Sequence, residues 1–213
     1  MAQTKKKMSN SRERILGRVR ASLAPLKVRA PYPDFADKTA TMTNLPFGDI
    51  KALFKERLQL IDGRAFDDVT TLVAWLKAEG HTHGYCDPAL WPQLKPAFGV
   101  EFKVETSFDR KRVDDYRFGI TRAAGAIAET GTIILQDATT SSRLGALAPW
   151  VHIAVLTTEQ ILPDLATAVT KLGDDPNTIW CTGPSKTADV EGILIQGVHG
   201  PGVQIALLIP SLS

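Results

Sequence analysis

Short apolar strands alternate with amphipathic segments along most of this chain. Apolar runs bounded by turn-forming residues predict strands at 82–86, 102–106, 132–135, 151–156, 179–182 and 203–209. A period of about 3.6 residues predicts helices at 49–60, 67–80 and 159–172, and Asp87 opens a further helical turn. Because strands that alternate with helices are joined by crossovers, this pattern predicts an α/β fold. We expect a mixed, largely parallel sheet with helices on both faces.

The first 46 residues differ from the rest of the chain in composition. Residues 11–24 have an amphipathic helical pattern, with Ile15, Val19 and Leu23 on one stripe and arginines opposite. Residues 25–46 contain four prolines with little periodicity, which is typical of an extended arm. We therefore predict an N-terminal helix and Pro-rich arm at 1–46 and one domain at 47–213. The basic residues of the arm favour a solvated tail over contact with nucleic acid or lipid.

The composition is that of a soluble globular protein, and its net charge of +2 gives no general attraction to nucleic acid. We find no apolar run long enough to span a bilayer and no signal-peptide core, so we predict a cytoplasmic location. The two cysteines, Cys86 and Cys181, do not form a disulfide framework, and a cubane iron–sulfur cluster takes more thiolates than this chain has. His81 and His83 lie near Asp87, but a fourth metal ligand with suitable spacing is not evident. We predict no metal or cluster in this chain.

A turn with a carboxylate separates two small-residue and apolar segments. Residues 126–128 and 133–135 flank Glu129, which predicts an antiparallel pair of strands inside the sheet. A carboxylate at the edge of an apolar segment costs free energy unless a partner or a ligand satisfies it, and Gly131 permits close backbone approach. Glu129 is therefore either a general base, nucleophile or ligand anchor, or a solvated turn residue. The neighbouring residues that we predict to bind the same ligand are Thr130, Gly131 and Thr132.

A second cluster of polar residues follows the 179–182 strand. Gly183 and Pro184 lead into Ser185 and Thr187, and a helical turn predicted after them would offer free N–H groups to an anion. The acids of that turn would repel a phosphate, so helix capping by Thr187 is the favoured alternative. P-loop, dinucleotide and nucleophile-elbow motifs are all missing here. The ligand-binding residues predicted in this cluster are Ser185, Thr187, Asp189, Glu191, Gly197 and Gly200.

Two further residues of this region and its surroundings are candidates for chemistry. His199 lies in a glycine loop, where its imidazole is either a catalytic acid–base group or solvated. Arg143 follows a Ser-rich loop and either pairs with Glu129, binds a carboxylate ligand, or lies on the surface. His152 begins an apolar strand, so we expect it to be a hydrogen-bonded core or edge residue.

Several sequence blocks, taken in order, resemble the LUD-domain family of the lactate utilisation protein C type. Among them are Phe118-Gly119-Ile120-Thr121, Ala128-Glu129-Thr130-Gly131-Thr132 and Gly197-Val198-His199-Gly200-Pro201. The resemblance also includes residues 149–155 and 183–191, so it covers roughly the C-terminal hundred residues. One departure is the small-residue stretch at 145–148, where bulkier leucine-rich residues are expected.

This resemblance implies a fold similar to the sugar-phosphate isomerase, coenzyme A transferase and formyltetrahydrofolate cyclo-ligase group. It implies a soluble, non-cluster subunit of an iron–sulfur complex that oxidises L-lactate to pyruvate. The clusters are then expected in partner proteins, and the ligand is expected to be a small carboxylate or acyl compound. The alternatives are a free-standing enzyme of the coenzyme A transferase or cyclo-ligase type, with Glu129 in the place of a glutamate nucleophile, and a regulatory ligand-binding module.

Overall fold

The computed structural model describes residues 2–26, 31, 48–173, 175–188 and 193–211. The chain divides into two compact units, Met1–Ala40 and Thr41–Ser213. The first unit contains helix α1 (Ala2–Leu23), which begins nine residues before the start that the amphipathic pattern predicts. Within the described residues, we find no helix with the length and apolar character needed to cross a membrane.

The second unit contains strands and short helices in alternation. Its described strands are β1 (Arg64–Phe66), β2 (His83–Cys86), β3 (Lys103–Glu105), β4 (Phe118–Arg122), β5 (Gly125–Ile127), β6 (Thr132–Gln136), β7 (Val151–Leu156), β8 (Ile161–Leu162), β9 (Thr178–Cys181), β10 (Lys186–Ala188), β11 (Leu194–Gln196) and β12 (Val203–Leu208). Its described α-helices are α2 (Ile50–Leu60), α3 (Val69–Ala78), α4 (Trp91–Leu94), α5 (Arg143–Leu147) and α6 (Leu165–Lys171). Short 3₁₀ helices occupy Lys95–Ala97, Arg110–Asp115 and Thr158–Gln160.

A six-stranded sheet forms the centre of this unit, in the order β1-β12-β7-β4-β2-β3. All of its strand pairs are parallel. A second sheet has the order β8-β5-β6-β9, and β10 and β11 form a separate antiparallel pair. The predicted α/β class with a largely parallel sheet is confirmed. The antiparallel β5–β6 pair is also confirmed, but it belongs to the second sheet instead of the parallel one.

Alternate residues of the central strands supply two hydrophobic cores. Ile153 and Val155 of β7 pack with residues of α3 and α4 on one face of the sheet. Ala154 and Leu156 pack on the other face with α2, α5 and the second sheet. This alternation follows from the two-residue side-chain period of a strand, and it places helices on both faces.

Two of the predicted elements differ from the structure. The predicted helix at 159–172 is interrupted, because β8 pairs with β5 and Asp164 caps a later start at Leu165. The predicted helix cap at Thr187 is wrong, because Thr187 lies in β10, which pairs with β11, whereas the turn predicted after it, at 189–191, lies outside the described residues. Thr187 is therefore a strand residue and not a helix cap.

Candidate functional site

A chain of hydroxyl groups connects the turn after β5 to the end of β9. The Oγ1 atoms of Thr130 and Thr132 are 2.7 Å apart, and those of Thr132 and Thr182 are 2.9 Å apart. Thr132 is almost fully buried, whereas Thr182 is exposed. The predicted residues Thr130 and Thr132 therefore lie together, and Thr182 joins them because β6 and β9 are antiparallel neighbours.

Glycines hold this hydroxyl chain against α2. Gly131 has a φ of +67°, and a Cβ on it would lie 2.5 Å from the backbone nitrogen of Leu58. Gly183 has a φ of +82°, and a Cβ there would overlap the carbonyl oxygen of Ile61. Both positions require glycine for conformation and for space. The predicted close approach at Gly131 is thus made by a helix of the same chain.

Glu129 lies at the other side of this turn, beside the start of α6. Its backbone N–H donates to the carbonyl oxygen of Pro163 at 3.0 Å. Its Oε2 accepts a hydrogen bond from the backbone N–H of Leu165, the first residue of α6, at 3.2 Å. A carboxylate in this position complements the positive end of the helix dipole. The contact gives Glu129 a structural partner, and its predicted catalytic role stays a prediction.

Arg143 is not a partner of Glu129. Its guanidinium forms a two-point contact with Asp137, in which Nε donates to Oδ1 at 3.1 Å and Nη2 donates to Oδ2. Asp137 directly follows β6, whereas Glu129 precedes it, so the length of β6 separates them by roughly 14 Å. Of the alternatives for Arg143, the pairing with Glu129 is therefore wrong, and the arginine lies on the surface, paired with Asp137.

The other predicted residues gather at the base of the β10–β11 hairpin. The backbone N–H of Ser185 donates to Pro201 at 2.9 Å, and that of Gly197 donates to Ser185 at 2.8 Å. Gly200 lies against the Ser185 side chain. His199 is exposed in this loop. Asp189 and Glu191, which the sequence also predicts to bind ligand, lie outside the described residues.

A charged pair that the sequence analysis did not select lies at the carboxyl ends of β2 and β4. Asp87 follows β2 and is fully buried, and its Oδ2 accepts a hydrogen bond from Arg122 Nε at 2.8 Å. Arg122 is the last residue of β4. Each residue is charged and stands at the end of a buried strand, but only the strand that becomes β2 was predicted from the sequence. Ligand sites of parallel sheets concentrate at that edge.

A polar group is also buried inside the parallel sheet. His152 of β7 lies between Thr121 of β4 and Gln204 of β12, at 2.9 Å from the Thr121 hydroxyl and 3.0 Å from the Gln204 amide. All three residues are buried. Burial lowers the pKa of His152 to about 4, so the ring is neutral at pH 7. The expectation of a hydrogen-bonded core histidine is thus met.

Comparison with known proteins identifies the family of this chain. A family model described as LUD domain matches residues 68–209, which include every described strand except β1. This chain belongs to the LUD domain family. The LUD domain thus includes the hydroxyl chain, the Asp87–Arg122 pair and the hairpin.

Relatives of this LUD domain are named lactate utilization protein C. The protein of Macrococcus caseolyticus is 24% identical over 83% of this chain and 85% of its own length. The protein of Deinococcus radiodurans is 33% identical over 59% of this chain and 62% of its own length. The protein of Oceanobacillus iheyensis is 35% identical, and the match spans 39% of each chain. This chain thus covers less than two thirds of several relatives.

A solved structure supports the fold of the LUD domain. The crystal structure of a DUF162 family protein from Deinococcus radiodurans superposes with a TM-score of 0.55. The two proteins are 23% identical, and the match covers 77% of this chain and 99% of the other. At this identity the likeness concerns the fold alone.

An open cleft of about 740 Å³ lies at the opposite end of the sheet from the Asp87–Arg122 pair. Its walls come from α2, β1 and the start of β12, with Lys55, Gln59, Arg64 and Gln196 as its long polar side chains. Arg64 lies over the Trp75 ring at 5.3 Å. Among the described residues of this LUD domain, no group of three or more His, Cys, Asp or Glu side chains is placed to hold a metal.

Proposed function

We propose that this LUD domain acts in lactate utilisation as a subunit without a cluster, beside iron–sulfur proteins that oxidise L-lactate to pyruvate. The observation that carries the proposal is the match to proteins named lactate utilization protein C, one of them over 83% of this chain. The family membership supports the same process. We propose that this chain supplies a ligand site and a surface that contacts the cluster-bearing proteins.

The chemistry of the cysteines supports the location of clusters in other chains. Cys86 and Cys181 are free thiols, and burial raises the pKa of Cys86 to about 12 and that of Cys181 to about 11. A cluster is bound by thiolates, and burial of both side chains disfavours that form. Free thiols also suit the reducing cytoplasm, where we place the protein in this proposal.

The β10–β11 hairpin supports a protein contact. Ile193, Leu194, Ile195 and Val198 are 57%, 63%, 40% and 54% exposed. Contiguous apolar residues at a surface usually mark an interaction site. We therefore assign the contact with the iron–sulfur partner to this hairpin.

Native co-purification tests this function. We expect the tagged chain to bring down iron–sulfur proteins from cells grown on L-lactate, and deletion of its gene to abolish that growth. Leu194→Asp should break the association through the hairpin. Leu60→Asp is the matched control, because Leu60 is similarly exposed, at 65%, on α2. Growth on lactate without the gene, together with no iron–sulfur protein in the purified material, would contradict the proposal.

The free-standing enzyme is the second candidate. The hydroxyl chain of Thr130, Thr132 and Thr182, in the turn that also contains Glu129, is the observation in its favour, since hydroxyls of this kind bind acyl or phosphate oxygens. A screen of the purified chain for coenzyme A transferase, cyclo-ligase and isomerase turnover distinguishes this enzyme from the subunit proposed above. Turnover by the isolated chain supports the enzyme. Ligand-induced melting shifts without product support a regulatory module.

A further inference from the structure

The parallel sheet reverses the direction of its connections between β2 and β4. From β2 the chain continues to β3 on one side, whereas from β4 it continues to β7 and β12 on the other side. In open parallel sheets, such a reversal leaves a crevice beyond the carboxyl ends of the two strands, and ligands bind there. Asp87 and Arg122 are the residues that this topology places at the crevice.

Asp87 holds the guanidinium of Arg122 in a fixed position. Its side chain is 1% exposed, and its Oδ2 accepts from Arg122 Nε at 2.8 Å. Its Oδ1 accepts from the backbone N–H of Ala89, also at 2.8 Å. Because both carboxylate oxygens are satisfied inside the protein, Asp87 orients Arg122 and is not itself available to a ligand.

The outer end of the Arg122 guanidinium is open. Neither of its Nη atoms has a hydrogen-bond partner within the part of the chain that the structure describes, and the side chain is 36% exposed. Two parallel N–H donors of an arginine match the two oxygens of a planar carboxylate. The negative charge of Asp87 offsets part of the long-range attraction, so this site selects by bidentate geometry more than by net charge.

Hydroxyl groups lie in the loop that contacts the backbone of Arg122. Thr140 Oγ1 donates to the Arg122 carbonyl oxygen at 3.1 Å, which fixes the loop after β6 to the end of β4. The next residue, Ser141, is exposed and shares a 2.8 Å hydrogen bond with the hydroxyl of buried Tyr85. One hydroxyl hydrogen lies between these two oxygens, so the other is available to a ligand.

Tyr85 belongs to the same electrostatic cluster as the charged pair. Burial raises the pKa of Tyr85, and the charges of Asp87 and Arg122 also act on it. The hydroxyl therefore stays protonated at neutral pH and supports Ser141 as a hydrogen-bonding group.

We propose that Arg122 binds the carboxylate of a small organic acid in this crevice, while Ser141 bonds to an oxygen on the neighbouring carbon. Arg122 and Asp87 lie at the end of the sheet opposite the 740 Å³ cleft, and they were not among the residues predicted from the sequence. The use of L-lactate and pyruvate as probes rests on the proposed function, whereas the site follows from the geometry of the crevice.

Direct titration of the purified chain tests the site, with calorimetry or ligand-observed NMR as the readout. The probes are L-lactate, pyruvate, acetate and inorganic phosphate. We expect saturable binding of L-lactate or pyruvate. Acetate should bind roughly tenfold more weakly, because it has no oxygen on the carbon next to the carboxylate. We expect weaker binding of phosphate, which also presents two oxygens to the guanidinium but carries more negative charge beside Asp87.

Variants of Arg122 decide which side chain carries the binding. Arg122→Gln should weaken it by about 100-fold or more, and Arg122→Lys by roughly tenfold, because lysine keeps the charge without the two-donor fork. Arg122→Gln alone leaves Asp87 buried without its partner. The double variant Asp87→Asn/Arg122→Gln therefore removes both charges together and should retain the fold but not the binding.

The matched control is Arg64→Gln, since Arg64 is an exposed arginine in the cleft at the other end of the sheet. We expect it to bind the probes as the wild type does. The site is overturned by unchanged binding in the double variant, by loss of binding in Arg64→Gln, by phosphate binding as tight as lactate, or by no saturable binding in the wild type. A failure to recover iron–sulfur proteins, together with growth on lactate without the gene, would overturn the proposed function and leave this site standing.

Discussion

Gly119 of β4 and Gly145 of α5 pack backbone against backbone, because a Cβ on Gly119 would overlap the carbonyl oxygen of Gly145. We expect Gly119→Ala to lower the free energy of unfolding by about 2 kcal/mol, since the helix must move away from the strand. Urea denaturation measures the change. Gly17→Ala is the control, because Gly17 has open space around it within α1. Equal stability of the two variants would contradict this packing.

The buried His152 predicts a dependence of stability on pH. Burial lowers its folded-state pKa to about 4 from an ordinary value of 6.5. Between these two pH values His152 is therefore protonated in the unfolded chain and neutral in the folded chain. Stability is therefore full above pH 6.5 and falls as pH decreases, by on the order of 2 kcal/mol at about pH 5. His152→Gln should remove this part of the slope. A variant with the wild-type slope between these pH values would refute the assignment.

Glu105 stabilises the edge of the parallel sheet at β3. Its carboxylate contacts four side chains, and the hydrogen bond from Arg112 is the main reason that its pKa lies well below the ordinary value. This stabilisation is present above about pH 4.5 and disappears as pH falls through the lowered pKa. Glu105→Gln should therefore lower the melting temperature at pH 7, with a difference that shrinks in acid. Glu56→Gln, at an exposed glutamate of α2, should have little effect. The contacts of Glu105 come from His83, Lys103, Arg112 and Tyr116.

Glu129→Gln separates the structural and the catalytic role of this side chain. The amide still accepts the hydrogen bond from Leu165 but carries no charge at the start of α6, so we expect a loss of about 0.5–1 kcal/mol in stability. A catalytic carboxylate would also lose activity in lactate-dependent growth by a factor on the order of 100. Full growth with that small change in stability would limit Glu129 to the helix contact.

The N-terminal unit is predicted to be dispensable for folding. In the described residues, all three hydrophobic clusters take their members from Ile50 onward. Removal of residues 1–46 should therefore leave a cooperative urea transition with the same midpoint. A broad transition, or a midpoint shifted to lower urea, would show that the arm contributes to the core.

Long apolar runs and amphipathic periods could be read from the sequence. β7 has its predicted bounds at Val151–Leu156, and α2 begins at Ile50, directly after its predicted start at Asp49. β1 could not be recognised, because Arg64–Phe66 has three residues and becomes a strand only by pairing with β12. β4 was quoted only as a block of the family, since a run with Gly119 and Thr121 lacks continuous apolar character. These two strands depend on tertiary pairing, which local propensity does not contain.

Only part of the predicted site lies together in the structure, because the rest depends on strand pairing. Clustering along the chain brought Thr130 and Thr132 together, and the antiparallel β6–β9 pair added Thr182. The partners of Arg143 and Glu129 depend on where β6 places its two ends, which the sequence does not specify. The Asp87–Arg122 pair joins residues that are 35 positions apart through the parallel β2–β4 pairing. Strand order had to be known before that pair could be found.

The position of β1 beside β12 has a consequence for synthesis on the ribosome. β12 begins about 140 residues after β1 ends, so at ~5–20 residues per second roughly 7–28 s pass before the two strands can pair. β12 is also the neighbour that joins β1 to β7. During this interval the nascent chain exposes the apolar surface of α2 and the unpaired strand. Both can bind chaperones or aggregate with other chains. Translation that stops before β12 therefore yields a product whose first strand has no place in the sheet.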